Sequence, residues 1–557
     1  MALVVVDRDG LAAFLQSLDP PVDLAESSFA ELTQRPEVLE AAAAVVEAGN
    51  ERLSQVEQIK RFLVLDHVWV VGGEELTPER TNSGAGRSPP ATPPKSTPFM
   101  PENYEEDPAM TAVRTDIETF AFWERDRAQR MAAFQWLRDH DPVSWHPPAE
   151  SLLLPPELNT KGFWSITKHA HIQEVSRSTV FSSGEGIFME DMPEVVLAAA
   201  MSFLAMDPPG HDHLRGIVQA AFSPPRIRKM EDWIRGHARE VVSRLAPLGE
   251  ADMVTNLAKL LPGLVYAHYI GVDSPELRDR VVHAADQLGS WNDPQYTATM
   301  EPIEVFANAA ETLSDVALEL AELRRTQPGD DMVTWLVEAE FEGQRLEDWE
   351  IASFFVMLSG AANDTTGHVI AYSLLELDRH PEQKAWLLED FEGRIDRAIE
   401  ELMRWRPPLL HFRRTATENY ELGGKTIKAG DKVVLWYVSG NFDAEVFPEP
   451  DRLDLARQPN RHLAFGGGGV HFCLGAALGR QLVKSALREV YTQLPDIRIG
   501  TPQEGFSNLF NHMNRLPARW TPKGACPAHA ERPDTNTPAA TRGCPEHQKG
   551  ESRGLFQ

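Results

Sequence analysis

Cys473 closes a glycine run, Phe465-Gly-Gly-Gly-Gly-Val-His-Phe-Cys473-Leu-Gly475, and is the only cysteine before residue 526. Glycines let a backbone come very close to something flat or large. The aliphatic residues Leu474 to Leu478, followed by Arg480, read as a helix start. Free N–H groups there, with the positive end of the helix, favour a thiolate over a thiol. Such a sulfur is a nucleophile or a metal ligand. No His, Asn or Asp pattern that activates a nucleophile accompanies it, which favours the ligand. A lone thiolate as the sole protein ligand implies a cofactor that brings the other ligands itself, and haem does that.

A second polar group sits in an apolar setting. Ala361-Ala-Asn-Asp364-Thr365-Thr366 follows Ile351 to Leu358, which reads as the middle of a long buried helix. An acid and two hydroxyls there are costly unless hydrogen-bonded. A mid-helix Thr takes the carbonyl four residues back and distorts the ladder. The result is a polar notch in an apolar wall. Dioxygen activation needs such a notch, with a hydroxyl near the distal oxygen and an acid, Asp364, to relay protons.

Charges complete the set. Glu401-Leu-Met-Arg404 puts two opposite charges on one helix face, just before Pro407-Pro408, and Arg457 follows in Pro450-Asp-Arg-Leu-Asp-Leu-Ala-Arg457. His211-Asp-His-Leu-Arg215, after Met206-Asp-Pro-Pro-Gly210, places His211 and Arg215 one helical turn apart. Arg414, in His411-Phe-Arg-Arg414-Thr-Ala-Thr, starts a strand-like segment. Arginine binds carboxylates bidentately.

The loop from Phe465 to Gly475 resembles the haem-binding loop of the cytochrome P450 family, the haem-thiolate monooxygenases. In the common form Phe stands seven residues before Cys; here Phe465 stands eight before, with one extra glycine. The resemblance implies haem b on Cys473, with His471 at the propionate-binding position and Gly469 at the turn. It implies propionate contacts from His211, Arg215 and Arg414. Asp364 and Thr365 take the relay positions, with Ala362 where the family has Gly. Glu401, Arg404 and Arg457 take the places of a buried ionic network behind the haem, structural in role. The implied fold is mainly α with small β-sheets.

Between about residues 115 and 520 the chain is similar to actinobacterial enzymes that hydroxylate methyl-branched lipids and sterol side chains at the terminal carbon. Leu336-Val-Glu-Ala-Glu340, Ile351-Ala-Ser-Phe-Phe355 and Ala429-Gly-Asp-Lys-Val-Val-Leu-Trp-Tyr437 carry that likeness with the four-glycine loop. It implies a long apolar funnel, lined by Leu358, Ala361 or Ala362, Leu409, Leu410, Phe412, Leu509 and Phe510. A hydroxylase of terpenoids or other secondary metabolites is the alternative. A haem-thiolate peroxygenase or isomerase would keep Cys473 without needing Asp364 and Thr365. No flavin or iron–sulfur motif is present, so electrons come from an external ferredoxin and an NAD(P)H-dependent reductase. Arg461 and Arg480 flank the Cys473 loop as the docking surface.

The elements that must position these residues occupy residues 102–522, a long, amphipathic, mostly helical stretch. Residues 1–79 alternate between helical and strand-like patterns, a small α/β appendage. Residues 80–101 are a Pro-rich linker with no means of forming a core, and 523–557 read as a disordered tail. Residues about 30–79, with Glu75-Leu-Thr-Pro78, resemble a truncated C-terminal piece of long-chain acyl-CoA synthetases. The lysine-rich segment expected after Pro78 is replaced by Glu79-Arg80-Thr81, so the resemblance implies a catalytically dead remnant. Cys526, His529, Cys544 and His547 supply zinc-type ligands, but nothing around them resembles a packed knuckle.

With 54 basic and 83 acidic residues in 557, the net charge of −29 argues against a nucleic-acid partner. Three cysteines leave no disulfide framework. Asp7, Arg8 and Asp9 interrupt the one apolar N-terminal stretch, against a secretory signal. No run of about 18 apolar residues exists. A bacterial, cytoplasmic enzyme acting on O2 and an apolar substrate is expected.

Overall fold

The computed structural model describes residues 115–522, apart from a few single positions, together with Ala2–Val4, Val38 and Phe62–Val64. Ala2–Val4 and Phe62–Val64 pair as parallel strands. The linker, the tail with its Cys/His pairs and nearly all of the synthetase-like stretch lie outside the described residues.

Five strands form the main sheet: β1 (Val143–His146), β2 (Phe163–Ile166), β3 (Phe181–Ser182), β4 (His411–Ala416) and β5 (Lys432–Trp436), in the order β1-β2-β5-β4-β3. β2 and β5 run parallel and the other neighbours antiparallel. β5 is central, and its side chains alternate between two cores, as the period of two requires. Val433 and Leu435 join Ile172 and Trp164 on one side. Val434 and Trp436 join Phe134 and Leu410 on the other. Arg414 therefore sits inside β4, opposite Val433; the strand begins at His411, not at Arg414.

The helices that build the site are α1 (His169–Arg177), α2 (Gly210–Gln219), α3 (Pro224–Leu245), α4 (Leu260–Ile270), α5 (Pro275–Gly289), α6 (Pro302–Thr326), α7 (Asp348–Arg379), α8 (Phe391–Trp405) and α9 (Ala476–Gln493). α7 is buried for most of its length and packs against α4, α5, α6 and α9. Its start is fixed by a capping box in which Glu347 and Glu350 exchange side-chain-to-backbone bonds. Asp390 caps α8 by accepting from Gly393 N–H, and Ser274 caps α5 ahead of Pro275. Ile351 to Leu358 occupies the first third of α7, so Asp364 and Thr365, not the apolar run, stand at its middle.

Candidate active site

α9 begins at Ala476 with Gly475 in the capping position, so Cys473 lies just ahead of the helix. Its N–H donates to Phe465 O at 3.0 Å. Cys473 has accessible surface, yet enough protein surrounds the sulfur for burial to raise its pKa. The Gly475 N–H, Arg215 and Arg480 oppose that rise without reversing it. Burial thus works against the thiolate that the helix start favours.

Two of the glycines are also needed by the protein itself. A Cβ on Gly467 would meet Ser176 Oγ at 2.2 Å, and one on Gly469 (φ +76°) would meet Ser176 O at 2.2 Å. What the run approaches is the last turn of α1, which holds the loop from behind. Phe465 packs beside Phe472 (centroids 6.2 Å apart) and under the Arg480 guanidinium at 4.3 Å. Val470 and Phe472 are exposed apolar side chains on the same loop.

Four nitrogen-bearing side chains gather beside the loop. The His211 and His471 rings meet edge to face at 4.5 Å. His471 also bonds Ser183 Oγ (3.0 Å), and His211 Nδ1 bonds Asp212 (2.8 Å). His211 Nε2 and His471 Nδ1 are buried with no hydrogen-bond partner. Arg215 donates to Phe472 O at 2.6 Å. Arg414, 3% exposed, donates to Arg413 O at 2.7 Å; burial lowers its pKa, and Asp207 is the carboxylate whose charge reaches it. Burial, then Arg414, His211 and Arg215, push His471 down to about 2. Arg414 is thus a buried cation with no carboxylate bonded to it.

On α7, Thr365 Oγ1 donates to Ala361 O at 2.7 Å. Asp364 is buried, and its Oδ2 has no hydrogen-bond partner. It points at α5, where a Cβ on Gly289 would lie 1.5 Å from that oxygen; only glycine admits the carboxyl. Burial raises the Asp364 pKa to about 7, with Lys259 opposing and Asp286 adding to the rise. Lys259 and Asp286 form an ion pair, and Tyr296 OH donates to Asp286 at 2.5 Å.

Behind the loop the ions are saturated. Arg404 binds Glu401 through two 2.8 Å bonds, both side chains being 0% exposed. Arg457 Nε reaches both Glu401 oxygens at 3.1 Å, and Asn460 and the Asp454 N–H add 3.0 Å bonds. A neighbouring cluster escaped the sequence reading: Glu400 takes Arg480 at 2.6 and 2.9 Å and His462 at 3.0 Å. Burial would raise the Glu400 pKa, but these bonds win and hold it at about 2. Arg480 is thus paired with Glu400 and stacked on Phe465 while its side chain stays partly exposed. Arg461 is exposed.

Residues 296–490 match the Cytochrome P450 family. The methyl-branched lipid omega-hydroxylase of Mycobacterium tuberculosis is 36% identical over 425 residues, covering 75% of this chain and 97% of the relative. The steroid C26-monooxygenase of Mycolicibacterium smegmatis is 36% identical over 371 residues, covering 65% and 85%. A solved cytochrome P450 from Mycobacterium marinum, in complex with pseudoionone, is 46% identical with a TM-score of 0.70, covering 73% of this chain and 98% of that one. The chain belongs to the cytochrome P450 family.

A cytochrome P450 is a haem-dependent monooxygenase, and the residues here fit haem. The group is an apolar disc with two carboxylates and an iron that takes one thiolate. The site offers one thiol, the apolar Val470 and Phe472, and cationic donors with two orphaned imidazole nitrogens.

The structure sorts the expected wall residues of this P450. Leu409 and Phe510 form a β-bridge and, with Phe412 and Ala362, are only half-buried. Ala361 is exposed although α7 around it is buried. Leu358 and Leu509 are mostly buried at the edge of this group. Leu410 leaves it: at 2% exposure it packs with Phe134, Val434 and Trp436 on the far side of the sheet. Among the described residues no helix is long and apolar enough to cross a membrane.

Proposed function

We propose that Cys473 ligates the haem iron and that the substrate is a methyl-branched apolar chain, hydroxylated at its terminal carbon. The observation that carries the ligand assignment is the convergence of His211, His471 and Arg414 beside the sole cysteine of the described residues, Arg414 bonding no carboxylate and each ring keeping one unpartnered nitrogen. His211, Arg215, Arg414 and His471 hold the propionates. Haem bound through that sulfur supplies oxygen activation, sulfur donation favouring O–O cleavage.

The chain's own groups manage protons. Thr365 gives its hydroxyl hydrogen to Ala361 O, so toward the pocket it presents lone pairs that accept. Asp364, its pKa raised by burial to about 7, both takes and gives a proton near neutral pH. Its burial against Gly289 requires a side-chain rotation for transfer, and Lys259, Asp286 and Tyr296 form the polar route behind it. Leu409, Phe412, Phe510, Ala361 and Ala362 exclude water and orient the chain end, with Leu358 and Leu509 behind them. Glu401, Arg404 and Arg457 keep the proximal side rigid.

The relatives' names support the substrate class: one acts on methyl-branched lipids, another at C26 of steroids. A second reading, a terpenoid substrate, is favoured by pseudoionone in the 46% identical P450. These molecules share a methyl-branched chain end, and that end is what the pocket reads. Electrons come from a ferredoxin and an NAD(P)H-dependent reductase, docking beside Arg461, in a cytoplasmic setting.

The test is spectroscopic. Reduced holoenzyme with CO should show the red-shifted Soret band of thiolate ligation, and Cys473→Ser should lose it together with hydroxylation. Phytanic acid, cholest-4-en-3-one and pseudoionone should each shift the haem spin state. A Ser variant that hydroxylates normally sinks the ligand assignment; no shift with any of the three sinks the substrate class.

A further inference from the structure

A buried ionic cluster lies away from the haem groups. Lys432, at the start of β5, has a side chain 0% exposed. Its Nζ donates to Asp191 Oδ2 at 2.9 Å, to Met189 O at 3.0 Å and to Asn159 Oδ1 at 3.4 Å. Arg413 on β4, 1% exposed, donates through Nη1 to Glu190 O (2.9 Å) and to Asp191 Oδ1 (3.2 Å). Its backbone N–H donates to Ile187 O at 2.7 Å. The two cations thus take two carbonyls and the Asp191 carboxylate, and the Arg413 backbone takes a third carbonyl of residues 187–191. Burial pulls the Lys432 pKa down to about 8, Asp191 opposing.

The segment so held is not a regular element. Ile187 and Met192 pack in the helical core with Leu358 of α7, and Phe188 is half-buried against it. Met189 joins Leu410 in the other core. Glu190, whose pKa burial raises, accepts from Asn508 at 3.4 Å, beside Leu509 and Phe510. The segment therefore lies between β4 and the 508–510 turn, with Ile187 and Met192 in the same core as Leu358. Without helix or strand bonds of its own, its place is set by the two cations. A buried lysine is costly, and an apolar residue would fold as well; an ordered segment is what the charge secures.

We propose that Lys432 and Arg413 are positioning residues for the substrate, acting by clamping residues 187–191 as a wall of the pocket. This rests on the pocket reading above. Lys432→Met should weaken pseudoionone binding to the holoenzyme about tenfold in Kd, one charged hydrogen bond's worth. The kcat at saturation should stay within about twofold, and Lys432→Arg should restore binding. Asp191→Asn serves if Lys432→Met does not fold, and should raise Kd in the same direction. Amide hydrogen exchange of 187–191 should quicken in Lys432→Met and Asp191→Asn while α7 stays protected.

Wild-type Kd in both variants, or a loss of kcat with unchanged Kd, overturns the clamp. If pseudoionone fails to bind the wild type, the pocket reading falls, and exchange alone decides. Quickening confined to 187–191 then supports the clamp, and none, or quickening throughout the molecule, refutes it.

Discussion

The two ionic groups on either side of Cys473 contrast in their bookkeeping. Behind the loop, Glu401 carries Arg404, Arg457, Asn460 and a backbone N–H, so its charge and lone pairs are all answered. Beside the loop, Arg414 has one carbonyl, and His211 and His471 each keep an unpartnered nitrogen. Both groups contain a buried arginine. A closed network stabilises the chain alone; an open one is held at a cost and becomes favourable when an anion arrives. Polar satisfaction, not residue type, separates scaffold from site.

Four measurements break or sharpen that contrast. The largest effect falls on the closed side. Glu401→Gln strands two buried guanidinium groups, and a loss of roughly 3–5 kcal/mol is expected, enough to leave little folded haem protein. Near wild-type thermal stability would show that the network is not the scaffold.

Arg414→Leu should behave in the opposite way. The apoprotein should unfold no more easily than the wild type, because a buried charge without a carboxylate bond has gone. The holoprotein should lose haem to apomyoglobin about tenfold faster, since a charged hydrogen bond is worth about 1.5–3 kcal/mol. Unchanged haem loss with a destabilised apoprotein would move Arg414 to the closed group.

Asp364 belongs to the open kind, and its sign is fixed by linkage. Its folded pKa is raised from 3.8 to about 7, so the folded state binds more protons than the unfolded one across that window. Stability from this group is present below the lower value and is lost as pH rises toward the upper. Relative to the wild type, Asp364→Asn should therefore gain stability steadily between those limits in urea titrations. Its turnover should slow while substrate binding persists. A pH-independent difference would mean that Asp364 is not titrating there.

The smallest effect concerns the chain outside this contrast. Removing residues 1–101 should leave haem content, hydroxylation and melting temperature unchanged within error, because domain boundaries fall in Pro-rich linkers. The full-length chain should form no acyl-CoA from ATP, coenzyme A and palmitate. Loss of hydroxylation on truncation would refute the division at the linker.

What the sequence determined by itself were the features that depend on short spacing. The glycine loop with its cysteine, the Asp364-Thr365 pair, the i, i+3 pair of Glu401 and Arg404, and the helical turn between His211 and Arg215 need only local geometry. Only the tertiary structure decided what each group meets. Glu400 pairs Arg480 across 80 residues of sequence. Gly289 makes room for Asp364, and Ser176 explains Gly467 and Gly469. Lys432 reads as a charge at a strand start until residues 187–191 close over it. Leu410 looked like a neighbour of Leu409 until the sheet sent it to the opposite core. Burial and pairing are set by elements far apart in the chain, and no local pattern encodes how they pack.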